Sequence, residues 1–288
     1  MDKCNLCPRK CNINRKDSVG FCLCKNKTVV SKYMLHQWEE PPLSGTNGSG
    51  AVFFSGCTLK CVYCQNQKIS RQPNGQELNE SQLADIFLKL QENGAHNINL
   101  ITPTHFSDNI VKALDIAKPK LSIPIVYNTS GYETVETLKM LSGYIDVYLP
   151  DFKYYDKDIA KKYSKAPDYF DVAIEAVKEM YNQVGEYKEN DKGLVEKGLI
   201  IRHLVLPKCR FDSVNILREI KNALPIENIR LSLMSQFTPD FVPEDCKELS
   251  RKITSFEYNY VLEKAIEMGY LGFFQQRDSA TTIYTPDF

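Results

Sequence analysis

The stretch FFSGCTLKCVYCQN, residues 53–66, places three cysteines directly after a short apolar run. Cys57, Cys61 and Cys64 stand in Cys-x3-Cys-x2-Cys spacing. The apolar run at 51–54 predicts a buried strand, and parallel α/β folds build their sites where such strands end. Complete zinc and iron–sulfur sites normally have four protein ligands, so three thiolates in one loop predict a metal unit with one position open for a substrate or cofactor. A zinc knuckle that takes its fourth ligand from elsewhere in the chain is the alternative.

Short apolar runs alternate with longer amphipathic ones along the rest of the chain. Asn79 and Gln82 predict a capping box for a crossover helix that ends near Gly94. Six short runs predict buried strands, at residues 51–54, 98–101, 123–127, 145–149, 199–206 and 229–234. Further helices are predicted near residues 110–119, 135–143, 172–184, 214–224 and 246–268.

Repeated βα units imply parallel strands joined by right-handed crossovers. Six such units predict an α/β fold, a partial (β/α)6 barrel that is open on one side, over residues 51–288. A doubly wound sheet is the alternative, because hydrophobic periodicity does not distinguish a curved parallel sheet from a flat one. The charged run at 186–197 predicts a solvated loop or a helix end.

Residues 1–50 form a different region, with five cysteines in the first 24 residues and a Gly/Pro/Ser-rich loop at 39–50. A chain of this size without an export signal has no need of a disulfide framework, so these cysteines predict metal ligation. Their spacing suits a tetrahedral zinc or an auxiliary iron–sulfur cluster, for which four of the five would suffice. We therefore expect a Cys-rich metal-binding cap over 1–50 and a barrel over 51–288.

The overall charge gives no sign of a polyanionic partner. The chain has 36 Lys and Arg against 36 Asp and Glu, so no strong global field attracts a nucleic acid polymer or anionic lipid. No stretch reaches the ~18 apolar residues of a membrane helix, and the first residues lack the apolar core of a signal peptide. A cytoplasmic protein that does not bind membranes is the expectation.

The three-cysteine loop resembles the hallmark of the radical S-adenosylmethionine (SAM) enzymes, with Tyr63 in the aromatic position of Cys-x3-Cys-x-aromatic-x-Cys. The resemblance implies that the three cysteines hold a 4Fe–4S cluster, that SAM chelates the fourth iron, and that Tyr63 lies beside the adenine. It also implies reductive cleavage of SAM to a 5′-deoxyadenosyl radical that abstracts hydrogen from the substrate. A reductant such as flavodoxin or ferredoxin is implied by the same chemistry.

Three later segments resemble strand motifs of the branch similar to the pyruvate formate-lyase activating enzyme: YNTSGY (127–132), LPDFK (149–153) and IIRHLVLP (200–207). Asn128 stands where the family usually has Asp, and Arg202 could instead be a surface arginine on an edge strand. The resemblance implies that SAM and a nearby monovalent cation are approached by Asn128, Thr129, Asp151 and Lys153, and that SAM is contacted by Arg202.

The segment ITPTHF (101–106) replaces the family's Gly-Gly-Glu motif, which receives the amino group of SAM. Thr102, Thr104 and His105 take that position, where hydroxyls and backbone carbonyls could accept the ammonium hydrogen bonds. A capping or packing role is the alternative for His105.

The segments EEPPLSG, TPTH and LMSQFTP resemble one subgroup of this branch. The subgroup's pattern implies Cys4, Cys7, Cys11 and Cys22 as ligands of zinc or an auxiliary cluster, with Cys24 spare or a substitute. We expect a purely structural staple, and electron transfer is the alternative. It also implies a small-molecule substrate, with queuosine or queuosine 5′-phosphate as the best candidate and queuine as the released product.

Side chains that could bind such a cationic nucleoside are Glu39, Glu40, His203, Lys208 and Gln236, although ordinary surface or loop roles suit each of them. A glycyl-radical activating enzyme is the alternative function, and a zinc-binding interaction protein is the third.

Overall fold

The computed structural model of the protein describes residues 3–275, 280 and 286–288. Within this part of the chain ten strands form one continuous sheet. The strands are β1 Thr28–His36, β2 Ser49–Phe54, β3 Gln76–Leu78, β4 Ile98–Ile101, β5 Ile125–Thr129, β6 Val147–Pro150, β7 Lys188–Glu189, β8 Val195–Leu204, β9 Arg230–Met234 and β10 Gly272–Phe274. The α-helices are α1 Pro41–Ser44, α2 Gln67–Ser70, α3 Glu80–Glu92, α4 Ser107–Ala117, α5 Val135–Met140, α6 Lys157–Ser164, α7 Tyr169–Val184, α8 Arg210–Ala223 and α9 Ser255–Glu267.

The parallel strands follow one another in chain order, as β2, β4, β5, β6, β8, β9 and β10. β1 and β3 extend the β2 edge in antiparallel pairing, and β7 pairs with β8. Because the strand order never reverses, right-handed crossovers place all the connecting helices on one face. A doubly wound sheet would reverse its order and carry helices on both faces. The predicted α/β partial barrel is therefore confirmed, with an open sheet.

All six predicted strands are present; the strand at 98–101 has the predicted bounds, and the other five are shifted. The predicted strand at 123–127 begins only at Ile125, after Pro124, which has no N–H to donate. The predicted capping box is confirmed: Asn79 Oδ1 accepts from the Gln82 amide at 2.9 Å, and Gln82 Oε1 accepts from the Asn79 amide at 3.0 Å.

Two predictions of secondary structure were wrong. The helix expected at 246–268 is a 3-10 turn followed by α9, because Thr254 starts that helix with its own capping box. The charged run at 186–197 contains β7 and the start of β8 rather than a loop or a helix end. Sequence analysis also missed β1, which lies within residues 1–50 and pairs with β2. The division into a cap and a barrel domain stays a prediction.

The loop expected at 39–50 contains the short helix α1 and lies at the amino-terminal end of the barrel strands, since His36 pairs with Ser49, the first residue of β2. Leu43 of α1 is fully buried, and the Asn97 side chain donates to its carbonyl at 2.8 Å. Leu43 packs against inward-facing residues of three barrel strands, among them Val126, Val147 and Ile200. The segment 37–48 therefore closes the lower end of the barrel.

Among the described residues, no helix has the length and apolar character required to cross a membrane.

Candidate functional site

The three-cysteine loop leaves the barrel at the carboxyl end of β2. Cys57, Cys61 and Cys64 are free thiols; Cys61 is buried and the other two are partly exposed. Gly56, with φ of +83°, begins the loop, and a Cβ there would lie 2.6 Å from the carbonyl oxygen of Cys22. Only glycine fits both that backbone conformation and that close approach.

Each sulfur of the loop accepts a hydrogen bond. The amides of Leu59 and Lys60 point at Cys57 Sγ, at 3.3 and 3.5 Å. The Ser164 hydroxyl donates to Cys61 Sγ at 2.9 Å, and the Ser70 hydroxyl donates to Cys64 Sγ at 3.5 Å. Donors aimed at sulfur stabilise thiolates and tune the potential of an iron–sulfur cluster.

Burial acts in the opposite direction on the free thiols. It raises the pKa of the Cys57 thiol and raises the pKa of Cys64 to about 12. Thiols in such surroundings keep their protons until a metal replaces them. Three thiols with donors already aimed at their sulfurs are a donor set that suits an iron–sulfur cluster.

Tyr63 is buried beside this loop. Its hydroxyl lies 2.7 Å from that of Tyr154, which in turn lies 2.7 Å from the hydroxyl of Ser164. Its ring makes an edge contact with Phe237, with 6.0 Å between centroids. Hydrogen bonds thus connect the aromatic position of the loop to Cys61 through Tyr154 and Ser164, two residues that sequence analysis missed.

A buried ion network occupies the inner face of the barrel above α1. Arg202 Nε donates to Asp151 at 3.0 Å, its Nη1 to Glu39 at 3.2 Å, and its Nη2 to Asn128 at 2.6 Å. Lys153 Nζ pairs with the second oxygen of Asp151 at 2.6 Å. The Arg202 side chain is only 16% exposed, so it is not a surface arginine.

The network shifts the pKa values of its members. Burial alone would raise the pKa of Asp151, but the charges of Lys153 and Arg202 outweigh it and lower that pKa. Burial raises the pKa of Glu39, and the charge of Arg202 only partly opposes it. At neutral pH Asp151 is therefore the ionised partner of both cations.

A cavity of about 230 Å³ joins the loop to this network. Cys61, Cys64 and Tyr63 line one side of it, and Asn128, Asp151, Lys153 and Arg202 line another. Apolar walls come from Phe53, Leu204, Met234 and Phe237. The structure thus brings together seven of the residues that sequence analysis assigned to the cluster and SAM.

Strand alternation decides which predicted residues face this cavity. Asn128 points inward, whereas the neighbouring Thr129 donates to Glu133 on the other side of β5. Thr104 is fully buried and also donates to Glu133, at 2.5 Å. His105 is buried too, with Nε2 2.7 Å from the carbonyl of Ser55. Thr102, Thr104, His105 and Thr129 do not line the cavity, so their contact with SAM stays a prediction.

Glu133 is a buried carboxylate that sequence analysis did not find. Besides Thr104 and Thr129, the Tyr127 hydroxyl donates to it at 3.4 Å. Burial raises the pKa of Glu133 to about 7, against the effect of its hydrogen bonds. Glu133 directly follows YNTSGY (127–132) in the sequence. Only the fold shows that its hydrogen bonds with Thr104 and Thr129 connect the ends of β4 and β5.

Glu133 should make the stability of the protein depend on pH. Its folded pKa is raised, so its stabilising contribution is complete below about pH 4.5 and is lost as pH rises through about 7. The full shift corresponds to about 3 kcal/mol. We expect Glu133→Gln to flatten the dependence of the melting temperature on pH between pH 5 and 8. A variant with the wild-type slope would show that another group is responsible.

Comparison with known proteins identifies the family. An uncharacterised protein of Methanocaldococcus jannaschii is 30% identical, in an alignment that covers 92% of this chain and 73% of that protein. The family model of the radical SAM superfamily matches residues 51–185, from β2 through α7. The chain belongs to the radical SAM superfamily. It is a radical SAM enzyme, and the family implies a 4Fe–4S cluster, SAM and a reductant.

Solved structures show the same fold. A radical SAM methyltransferase from Sphaerobacter thermophilus matches with a TM-score of 0.54 and 11% identity, over 81% of this chain and 69% of that one. SuiB from Streptococcus suis, bound to its precursor peptide SuiA, matches with a TM-score of 0.51 and 16% identity. That match covers 76% of this chain and 46% of SuiB, so the chain spans less than half of SuiB. SuiB has also been solved bound to SAM.

The amino-terminal cysteines of this radical SAM enzyme lie against the same end of the barrel. Cys4, Cys7, Cys11 and Cys22 are all free thiols, and Cys11 Sγ accepts from the amide of Phe21 at 3.3 Å. Among the described residues, no group of three His, Cys, Asp or Glu side chains has the arrangement of a metal-ion site. The metal of this region stays a prediction. Cys24 has a hydrogen bond to the residue that follows β2, since its thiol donates to the Ser55 carbonyl at 3.2 Å.

Arg9 connects the amino-terminal region to the three-cysteine loop at residues 57–64, called the cluster loop below. Its guanidinium donates to the carbonyls of Thr58 and Ser164, both at 2.8 Å, and lies 4.0 Å from the ring centroid of Phe21. Thr58 lies between two cysteines of the loop, and Ser164 is the donor to Cys61. The amino-terminal region therefore supports the loop from outside.

Three further residues predicted to contact the substrate have different positions. Gln236 lines the cavity. His203 is buried on the opposite face of β8, where its ring nitrogens lie 2.7 Å from the Phe152 carbonyl and 2.8 Å from the Ser213 hydroxyl. Lys208 is exposed and does not line the cavity. His203 is therefore a packing residue that anchors α8.

Proposed function

We propose that this radical SAM enzyme acts on a small nucleoside substrate, with queuosine or queuosine 5′-phosphate as the best candidate, and releases queuine as a lyase. The observation that carries the proposal is the cavity in which two loop cysteines and Tyr63 face Asp151, Lys153 and Arg202. A closed lower end and apolar walls suit a small molecule held away from water.

Within this proposal, each group of residues has a separate task. Cys57, Cys61 and Cys64 hold the 4Fe–4S cluster, which with SAM supplies the 5′-deoxyadenosyl radical when bound. Tyr63 packs beside the adenine, and Asn128 and Lys153 bind the polar groups of SAM. Asp151 and Arg202 add contacts to SAM from the wall of the cavity. The family resemblance also assigns SAM contacts to Thr102, Thr104, His105 and Thr129, which do not line the cavity.

Arg202 suits a binding role because its donors are only partly used. A guanidinium has five N–H groups, and the contacts to Asp151, Glu39 and Asn128 use three of them. The other N–H groups can reach a carboxylate of an incoming ligand, while the three protein contacts hold the planar head in place.

The amino-terminal region completes the proposal. Cys4, Cys7, Cys11 and Cys22 hold zinc or an auxiliary cluster as a structural staple, and a flavodoxin or ferredoxin supplies the electron. The contacts of Arg9 with the cluster loop support a staple, because they give this region a mechanical connection to Cys57–Cys61.

A partner protein is the second candidate substrate, as in the glycyl-radical activating enzymes. SuiB, which shares the fold, has been solved with a precursor peptide.

The test is anaerobic reconstitution with iron and sulfide, followed by reduction and measurement of 5′-deoxyadenosine formed from SAM. The assay is run with queuosine, with its 5′-phosphate, with a glycyl-radical protein, and without any substrate. Queuine formed in step with deoxyadenosine supports the lyase, and stimulation by the protein alone supports the activating enzyme. Wild-type protein that forms no more deoxyadenosine than Cys57→Ala under every condition would contradict both.

A further inference from the structure

Glu40 lies at the closed lower end of the barrel, and sequence analysis placed it only among several side chains that could bind a cationic nucleoside. The residue is only 8% exposed, and its Oε2 has no hydrogen-bond partner in the described structure. The Ser232 hydroxyl is its side-chain hydrogen-bond partner. Glu40 lines a second cavity of about 120 Å³, together with Trp38, Glu39 and Arg202.

The cations near Glu40 contact other carboxylates. Glu39, Glu40 and Asp151 are three carboxylates, and Lys153 and Arg202 are the two cations near them. Arg202 contacts Glu39 and Asp151, and Lys153 contacts Asp151. Glu40 makes no ion pair with any described residue, although the charge of Arg202 acts on it. One carboxylate of the group is therefore left without a contacting cation.

A buried carboxylate without a contacting cation is costly, and it takes up a proton unless a ligand supplies the missing charge. Burial raises the pKa of Glu40, although the charge of Arg202 acts in the opposite direction. Trp38 lines the same cavity, and an aromatic ring favours a cation nearby.

We propose that Glu40 is a recognition residue that binds a protonated amine of the substrate. This inference rests on the proposed function and adds a substrate class to it: a small molecule with a basic nitrogen that is charged at neutral pH. The amine lies in the second cavity, and the part of the substrate that loses hydrogen extends from there toward the cluster loop.

SAM also has an amine, but its position does not suit Glu40. The amino group of SAM binds the fourth iron in this family, beside the cysteines of the loop. None of those cysteines lines the second cavity, whereas two of them line the first. A metal ion is a poor occupant, since the neighbouring carboxylates Glu39 and Asp151 are already paired with Arg202 and Lys153.

The first test measures binding of cyclopentylamine and of cyclopentanol, which differ only in the charged group. We expect wild-type protein to bind the amine at least ~10-fold more tightly than the alcohol, because a charge-assisted hydrogen bond forms only with the amine. In Glu40→Gln the two affinities should become equal. Glu133→Gln, which removes another buried carboxylate outside the cavity, should keep the preference.

The fold of the variant is checked first. Without ligand, Glu40→Gln should melt at or above the wild-type temperature, because a neutral amide costs less to bury than an unpaired carboxylate. If it does not fold, Glu40→Asp keeps the charge on a shorter side chain and should keep a weakened preference for the amine. Equal binding of amine and alcohol by wild type, or a preference that survives in Glu40→Gln, overturns the inference.

The second test uses the proposed substrate. The KM for queuosine 5′-phosphate should rise at least ~10-fold in Glu40→Gln. N-acetylation of queuosine 5′-phosphate removes the charge of its amine, so the KM for that compound should be the same in the variant and in wild type. If wild type prefers cyclopentylamine but forms no queuine from queuosine, queuosine is not the substrate and the amine site is still supported. If queuine forms but the KM is unchanged in Glu40→Gln, the lyase activity is supported and the amine site is wrong.

Discussion

Cys57→Ala is expected to abolish the formation of 5′-deoxyadenosine from SAM, leaving only the rate of unassisted SAM decay. Cys57 Sγ has two amide donors aimed at it, from Leu59 and Lys60, and alanine offers neither a ligand nor an acceptor for them. With two thiolates left in the loop, the cluster loses one of its three protein ligands. The measurement is deoxyadenosine by chromatography, together with iron and sulfide content.

The matched control is Cys209→Ala, which removes a buried thiol that lies outside the loop and does not line the cavity. This variant should keep both iron and activity. Iron or zinc that remains in Cys57→Ala and is lost when Cys4 and Cys7 are also replaced would support the proposed metal site of the amino-terminal cysteines. Wild-type activity in Cys57→Ala would contradict the cluster assignment.

Arg202→Ala is expected to destabilise the fold as well as remove activity. The side chain is 16% exposed and contacts Asp151 and Glu39, so its removal leaves buried carboxylates without that cation. Loss of one partner from a buried ion pair costs about 3–5 kcal/mol. For a domain of this size that loss lowers the melting temperature by roughly 10 °C.

Two companion variants separate charge from geometry. Arg202→Lys keeps the charge but cannot make the three directed contacts to Asp151, Glu39 and Asn128, so it should recover part of the stability and little of the activity. Glu39→Gln with Arg202→Ala should recover some stability by removing one of the unpaired carboxylates. Arg202→Ala with a wild-type melting temperature would show that water or a shift of Lys153 replaces the guanidinium.

The sequence was informative where local chemistry decides the structure. The six core strands, the capping box at Asn79 and the three-cysteine loop are all local signals, and the structure contains each of them. The error at 246–268 has a local cause as well, since the capping box at Thr254 and Glu257 was present in the sequence but not used. β1 was missed because only its pairing with β2 shows that it is a strand.

The candidate site was predicted only in part. Asn128, Asp151 and Arg202 were assigned from the resemblance to the family's strand motifs, and they do face one cavity. Thr129 was assigned with Asn128, yet neighbouring residues of a strand point to opposite faces, and Thr129 bonds to Glu133.

By itself the sequence determined the three-cysteine loop with its thiol chemistry and the order of the βα units, because each depends on residues close together in the chain. Only the tertiary structure decided that 37–48 closes the barrel and places Glu39 and Glu40 beneath Arg202. It also decided that Ser164 donates to Cys61, across 103 positions of sequence. Such contacts follow from the curvature and register of the whole sheet, which are set by long-range packing that no local pattern records.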